Sequence, residues 1–304
     1  MERRNRLHAI RNANWHRIAR SADHITLGAL AAMATVVPLV VASAGLADEA
    51  AHVRYGAEVA VGQGVARSYV IVNGGVVEEV GVALSEGAMH GLPQVDGHGA
   101  HPGHEGHGGR AGAEENHEAP PGHVEFVLAM PADHGTPFRF VGLDWNPLGH
   151  PPEGVYDAAH FDIHFYTISE AERNLIDPAH PDFARKASRV PDMAVAPDGY
   201  LPHHALEQGE PAMFTVPRMG LHWVNPAGAE FAGAPFTAAM LYGSWDGEFI
   251  FVEPMVARDF LLRDPDLSMP LSRPAKGYAP GVLRVYRDAV TSEYRIAIRD
   301  LETR

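Results

Sequence analysis

The segment HFDIHFYTIS, residues 160–169, restricts this chain more than any other stretch. Successive side chains of an extended backbone point to opposite faces, so His160, Asp162, His164 and Tyr166 share one face while Phe161, Ile163 and Phe165 share the other. The apolar face requires a core. The polar face sets the harder condition, because imidazole and carboxylate lose hydration on burial unless something pairs with them. Such a strand demands a sheet with a core on one side and, on the other, either water or partners converging on these groups.

The rest of the chain reads as that sheet. Strand-like runs occur at 58–61, 68–72, 76–84, 124–128, 138–143, 236–242, 248–256, 282–287 and 293–298. Asn73-Gly74 and Asp246-Gly247 are hairpin signals, since both turn residues must take positive φ. The run 214–224 is interrupted by Pro217 and Gly220, which rules it out as one continuous central strand. Helices are few and short: 85–92, a turn near 183–188, 257–263, and one that starts at the Ser169/Glu172 capping box and runs to about Ile176. The expected fold is mainly β, an antiparallel barrel or sandwich with a few short helices.

Residues 1–24 carry six arginines and two acids, and residues 25–47 carry no charge. This is the n-region and h-region of a signal peptide spanning 1–47, with small residues at 42–47 for cleavage. An uncleaved anchor is the alternative, because an uncharged run of this length spans a bilayer. Pro38 and the small-residue tail favour cleavage. The mature part, 48–304, is then expected as a single β-rich domain that is secreted, periplasmic or associated with the cell envelope, with no stable membrane insertion. The whole chain carries −14 and its first 47 residues +6 − 2 = +4, so the remainder carries −18. A surface of that sign repels nucleic acid and attracts cations. The chain has no cysteine, which removes disulfides, thiolate zinc sites and iron–sulfur clusters together. A metal here must be held by nitrogen and oxygen.

Residues 93–122 have almost no large apolar side chain and read as a flexible His/Gly-rich loop. Its His98, His101, His104, His107 and His117 suit loose, competitive capture of a divalent ion, and catalysis would need ligands held more rigidly.

The residues that fit a rigid site are His160, His164, His222 and Glu253, with Asp162 and His150 in second rank. Glu253 falls in a row with Phe249, Phe251 and Met255 and needs a partner there. Three imidazoles and a carboxylate suit Zn, Mn, Fe, Ni or Cu as the divalent metal ion. Four residues along a straight strand cover roughly 13 Å, too far for His160 and His164 to grip one ion without a bulge or a late strand start. Asp162 is then a direct ligand or the acceptor that fixes an imidazole tautomer. The competing expectation is a plain polar network at 160–164, with His222 in the core and Glu253 on an arginine. His203 and His204 are adjacent, so at most one of them joins a given site.

The blocks LDWNPLGHPP, HFDIHFYTISEAER, MGLHWV and YGSWDGEFIFVEPMV resemble a family of exported bacterial and archaeal proteins of unknown function, represented by a Thermus hypothetical protein. The resemblance covers about residues 56–300 and implies export, a single domain, and His150, His160, Asp162, His164, His222 and Glu253 within shared blocks. It implies no activity. Three functions are thus expected to compete: a divalent-metal-binding domain, a cupin-like metalloenzyme with an open coordination position, and a non-catalytic envelope or stress-response protein that forms a homo-oligomer.

Overall fold

The computed structural model of the protein describes residues 51–94 and 123–303. Four strands open it: β1 (His52–Tyr55), β2 (Val59–Val61), β3 (Gly64–Asn73) and β4 (Val76–Leu84). Asn73 pairs with Val76, so the turn residues are Gly74 and Gly75, at φ 54° and 79°. The expected Asn73-Gly74 turn is corrected by one residue, because two glycines take positive φ without a Cβ clash and Asn73 stays in the ladder.

A second group follows: β5 (Val124–Ala129), β6 (Phe140–Asn146), β7 (His160–Tyr166), β8 (Leu201–Pro202), β9 (Thr215–Val216), β10 (Gly220–Val224), β11 (Ala238–Trp245) and β12 (Glu248–Ala257). The chain closes with β13 (Asp266–Pro270), β14 (Tyr278–Ala279), β15 (Val282–Arg287), β16 (Tyr294–Arg299) and β17 (Glu302–Thr303). One sheet has the order β1-β3-β4-β16-β15-β13 with β2 on β3; the other has β5-β6-β7-β12-β11-β10-β8 with β9 on β10; β14 and β17 form a small ribbon. All of these pairings are antiparallel. Neither sheet closes on itself, so of the two expected architectures the protein adopts the sandwich.

The two sheets share one core. Val70, Val80, Val82, Ile296 and Ile298 from the first meet Val141, Leu143, Phe161, Ile163, Phe165 and Val252 from the second. Fully burying each large apolar side chain contributes roughly 1.5–3 kcal/mol, and the apolar side of β7 supplies three. All seven residues of β7 are buried, so its polar side is covered as well. The cover consists of connections: Ile176, Phe183 and Ala187 pack over one part of the face, Tyr156 and Phe236 over another.

The helices are short. α1 (Glu170–Arg173) starts at the Ser169 capping box and ends before the expected Ile176. α2 (Phe183–Ala187), α3 (His203–Leu206) and α4 (Arg258–Leu261) follow. A 3-10 turn, Glu86–Met89, stands where a helix over 85–92 was expected. No described helix is long and apolar enough to cross a membrane. The expected signal peptide at 1–47 lies outside the described residues, and so do all but the first two residues of the expected His/Gly-rich loop.

Candidate metal centre

Sheet register assembles the site. Between β6 and β7, Gly142 lies opposite His164, Asp144 opposite Asp162, and Asn146 opposite His160. On the other side of β7, Phe251 lies opposite Tyr166 and Met255 opposite Asp162, which brings Glu253 beside His164. His222 enters through β10, opposite Gly243.

This face holds three buried carboxylates, Asp144, Asp162 and Glu253, exposed by 1%, 4% and 1%. Like charges directly opposite on neighbouring strands destabilise a sheet, and Asp144 and Asp162 are such a pair. Buried acids elsewhere in the protein rest on arginine or tyrosine: Glu293 on Arg67, and Glu79 on the Tyr69 and Tyr286 hydroxyls. Among the described residues, the ion-pair partners of these three are all histidines.

Two groups of three result, His150–His160–Asp162 and His164–His222–Glu253, each with its ligating atoms within 4.8 Å of one another. In the first, His150 Nδ1 donates to the Pro151 carbonyl at 2.7 Å and His160 Nδ1 to the Ala158 carbonyl at 2.6 Å. A carbonyl only accepts, so both Nδ1 atoms carry hydrogen and both Nε2 atoms turn to Asp162, at 3.2 and 3.0 Å. Asn146 Nδ2 steadies Asp162 by donating to Oδ2 at 2.7 Å. In the second group, His164 Nε2 lies 3.4 Å from Glu253 Oε1 and His222 Nε2 lies 3.5 Å from Oε2. Behind it, His164 Nδ1 lies 3.0 Å from Asp144 Oδ2, and His123 Nε2 lies 3.4 Å from Oδ1 of the same residue. A carboxylate behind a ligating imidazole fixes its orientation and raises its basicity.

In the first group both Nε2 atoms face the Asp162 carboxylate in a dry setting without a hydrogen of their own, and a positive charge must lie between them; in the second, His164 and His222 turn Nε2 to the buried Glu253. A proton or a metal ion meets that need. Burial opposes charge on His150, but the Asp162 carboxylate overrides it and lifts the imidazole to about 9. His164 reaches about 9 in the same way, against burial, through Glu253 and Asp144. Burial pushes Glu253 up to about 8 against the pull of His164. Burial, and then the charge of His164, drive His222 down to about 3. Asp162 is held well below the usual carboxylate range: burial works the other way, and His160 and His150 outweigh it. The contacts leave much unsatisfied. His160 Nε2, Asp162 Oδ1, both nitrogens of His164, Glu253 Oε2 and both oxygens of Asp144 are buried without a well-aligned hydrogen bond. Two nitrogens and a carboxylate oxygen per group suit Zn, Mn, Fe, Ni or Cu.

The structure separates the expected set of four. His164, His222 and Glu253 come together, while His160 joins Asp162 and His150. No bulge draws His160 toward His164, so the spacing along β7 assigns them to different groups. Phe249 leaves the expected row with Glu253: the register shift at Gly243/Ser244 turns it to the opposite face, against Trp223 and Tyr242. Asp144, Asn146 and His123 contact the two groups and were not expected there from the sequence. The signal for Asp144 and Asn146 was present in β6, where Val141, Leu143 and Trp145 alternate with Gly142, Asp144 and Asn146. Of the adjacent pair, His203 is the one coupled to the site: burial lowers it, His150 adds to that, and His203 in turn helps to lower His222. No protein-family model, curated protein or solved structure matches the chain.

Proposed function

We propose that the protein is an exported domain that binds divalent metal ions through His164, His222 and Glu253 and through His150, His160 and Asp162. The observation that carries this reading is the Asp144–Asp162 cross-strand pair together with Glu253, three buried acids whose ion-pair partners are imidazoles. A structural network would place a permanent cation there, as Arg67 does for Glu293. Histidine is the residue that gives up its proton to a metal. Asp144 behind His164, and the Pro151 and Ala158 carbonyls behind His150 and His160, act as orienting acceptors. Export and membership of the family that the sequence blocks resemble belong to the same proposal.

The test is metal analysis and melting of protein prepared without a His tag. Bound zinc that falls on His222→Ala, together with a melting temperature that drops in chelator, is the expected result. Zinc content and melting that ignore both His222→Ala and chelator would refute the proposal.

One feature also favours a metalloenzyme. Each group supplies three protein ligands, and catalytic zinc sites keep the fourth position for water or substrate. Water exchange at a cobalt-substituted site, read from its visible spectrum on adding azide, tests this; an unchanged spectrum would leave binding alone.

A further inference from the structure

The two groups are close enough to act on each other. Asp162 and His164 are two residues apart on one strand, a separation of about 6.6 Å at Cα, and they belong to different groups. Asp162 and His150 of the first group act electrostatically on Glu253 and His222 of the second. With neutral imidazoles, Asp144, Asp162 and Glu253 supply a charge of −3. One divalent ion leaves −1; two leave +1. The next charges along the face do not restore neutrality. Beyond Tyr166, whose ring stacks on His164 with centroids 5.7 Å apart, Glu125 holds both Arg173 and Arg218. That trio is itself +1, and the Nε atoms of both arginines are buried without a partner. Fully loaded, this face has an excess of positive charge, open coordination positions on both ions and surplus guanidinium donors nearby.

We propose that the two groups form one two-cation receptor whose ligand is a small oxyanion, of phosphate or carboxylate chemistry. This deepens the metal-binding reading and depends on it. The first cation binds by itself. The second binds weakly alone, because the face is then overcharged, and tightly when an oxyanion binds with it; by linkage, the oxyanion binds only to the metal-loaded protein. The least buried members, His150 and His222, with side chains 30% and 14% exposed, mark the side from which the anion reaches both ions.

The experiment is equilibrium dialysis of the full-length chain with zinc, alone and with dilute radiolabelled inorganic phosphate or acetate, using wild type, His150→Ala and His222→Ala. These two positions are the least buried of the six, so alanine spares the core; His160→Gln is a second probe of the first group. The expected result is phosphate or acetate retention by zinc-loaded wild type, at least tenfold weaker retention by each variant and none in chelator. Phosphate or acetate should also raise the zinc content by one equivalent, and this gain should be lost in each variant. Two zinc equivalents at the triads without any anion retention would overturn this proposal and leave metal binding standing. A single equivalent unaffected by either anion would do the same. Anion retention that survives chelator or all three variants would also overturn it. Zinc content unaffected by any triad variant would overturn the receptor and the metal-binding reading together.

Discussion

Replacing Glu253 by glutamine separates a metal ligand from an ordinary buried acid. Glu253 is 1% exposed and its carboxyl is pushed up to about 8 by burial. The native state therefore prefers the protonated acid, while in the unfolded chain the group ionises near 4.5. As pH rises from 4.5 to 8, the unfolded chain loses a proton that the metal-free native protein keeps, and native stability falls. The gap corresponds to about 5 kcal/mol at 1.36 kcal/mol per unit, an order-of-magnitude figure. Glutamine has the shape of the neutral acid and removes this loss. In chelator, Glu253→Gln should melt close to wild type at pH 5 and higher at pH 8, by about 10–20 °C at roughly 2–4 °C per kcal/mol. With zinc at about a thousandfold excess over Kd the pH 8 gap should nearly close. Wild type gains RT ln(1 + [M]/Kd), about 4 kcal/mol at a thousandfold excess over Kd, and the variant loses most of that gain. Differential scanning calorimetry at both pH values, with and without chelator, reads all four cases. A variant that melts below wild type by the same margin in every case would refute the reasoning, since that is the behaviour of a plain hydrogen-bonded acid.

Metal uptake should release protons. At pH 7 the metal-free His150 and His164 hold theirs, with values lifted to about 9, so apparent affinity should climb as pH rises toward 9 and level off above it. Calorimetric titration at pH 7 in buffers of different ionisation enthalpy should count about one proton for the ion at His150, His160 and Asp162 and about two for the ion at His164, His222 and Glu253, whose carboxyl also holds its proton; no release would contradict the assignment. Gly243→Ala should weaken metal binding without touching a ligand. A Cβ there would meet the Phe251 ring at 1.9 Å, and that ring packs on His164 and His222 at centroid distances of 4.8 and 5.4 Å. Overpacking costs about 1–3 kcal/mol, and displaced supporting residues typically lower metal affinity about 10–100-fold. Zinc affinity equal to wild type would show that Phe251 does not position the ligands.

The faces of the strands were legible in the sequence because side-chain alternation is a local property. Phe161, Ile163 and Phe165 went to the core and His160, Asp162 and His164 to the other side, as their spacing requires. The end of β15 at Arg287 and the Asp246-Gly247 turn were equally local. The partition of ligands was not local. Which imidazole meets which carboxylate depends on β6, β7 and β12 lying side by side and on their register, and no periodicity encodes strand order. Asp144 escaped for a different reason. Asn146-Pro147 and Gly149 look like a turn, and that reading cut β6 short at Leu143, although the alternation continues through Trp145 to Asn146. His150 lies in that connection. Its bridge to Tyr156 shows how a short loop can still hold an imidazole over the sheet.

Burial of three acids on one sheet face raises the question of what keeps β7 in register. A slip of one residue would carry His160, Asp162 and His164 into the shared core and turn Phe161, Ile163 and Phe165 toward the covering connections. The apolar row forbids this, because Val141, Leu143 and Val252 on the flanking strands occupy the same core. The register that satisfies the core is the one that sets Asp144 against Asp162. Packing of the sandwich therefore fixes the face on which Asp144 and Asp162 lie, the observed register sets them opposite each other, and protons or a bound cation relieve the like-charge contact. Fold and site are thus held by opposite faces of the same strands. Substitutions on the ligand face should accordingly act first on ion affinity and on the pH dependence of stability, whereas those in the shared core should act on stability at every pH and metal concentration.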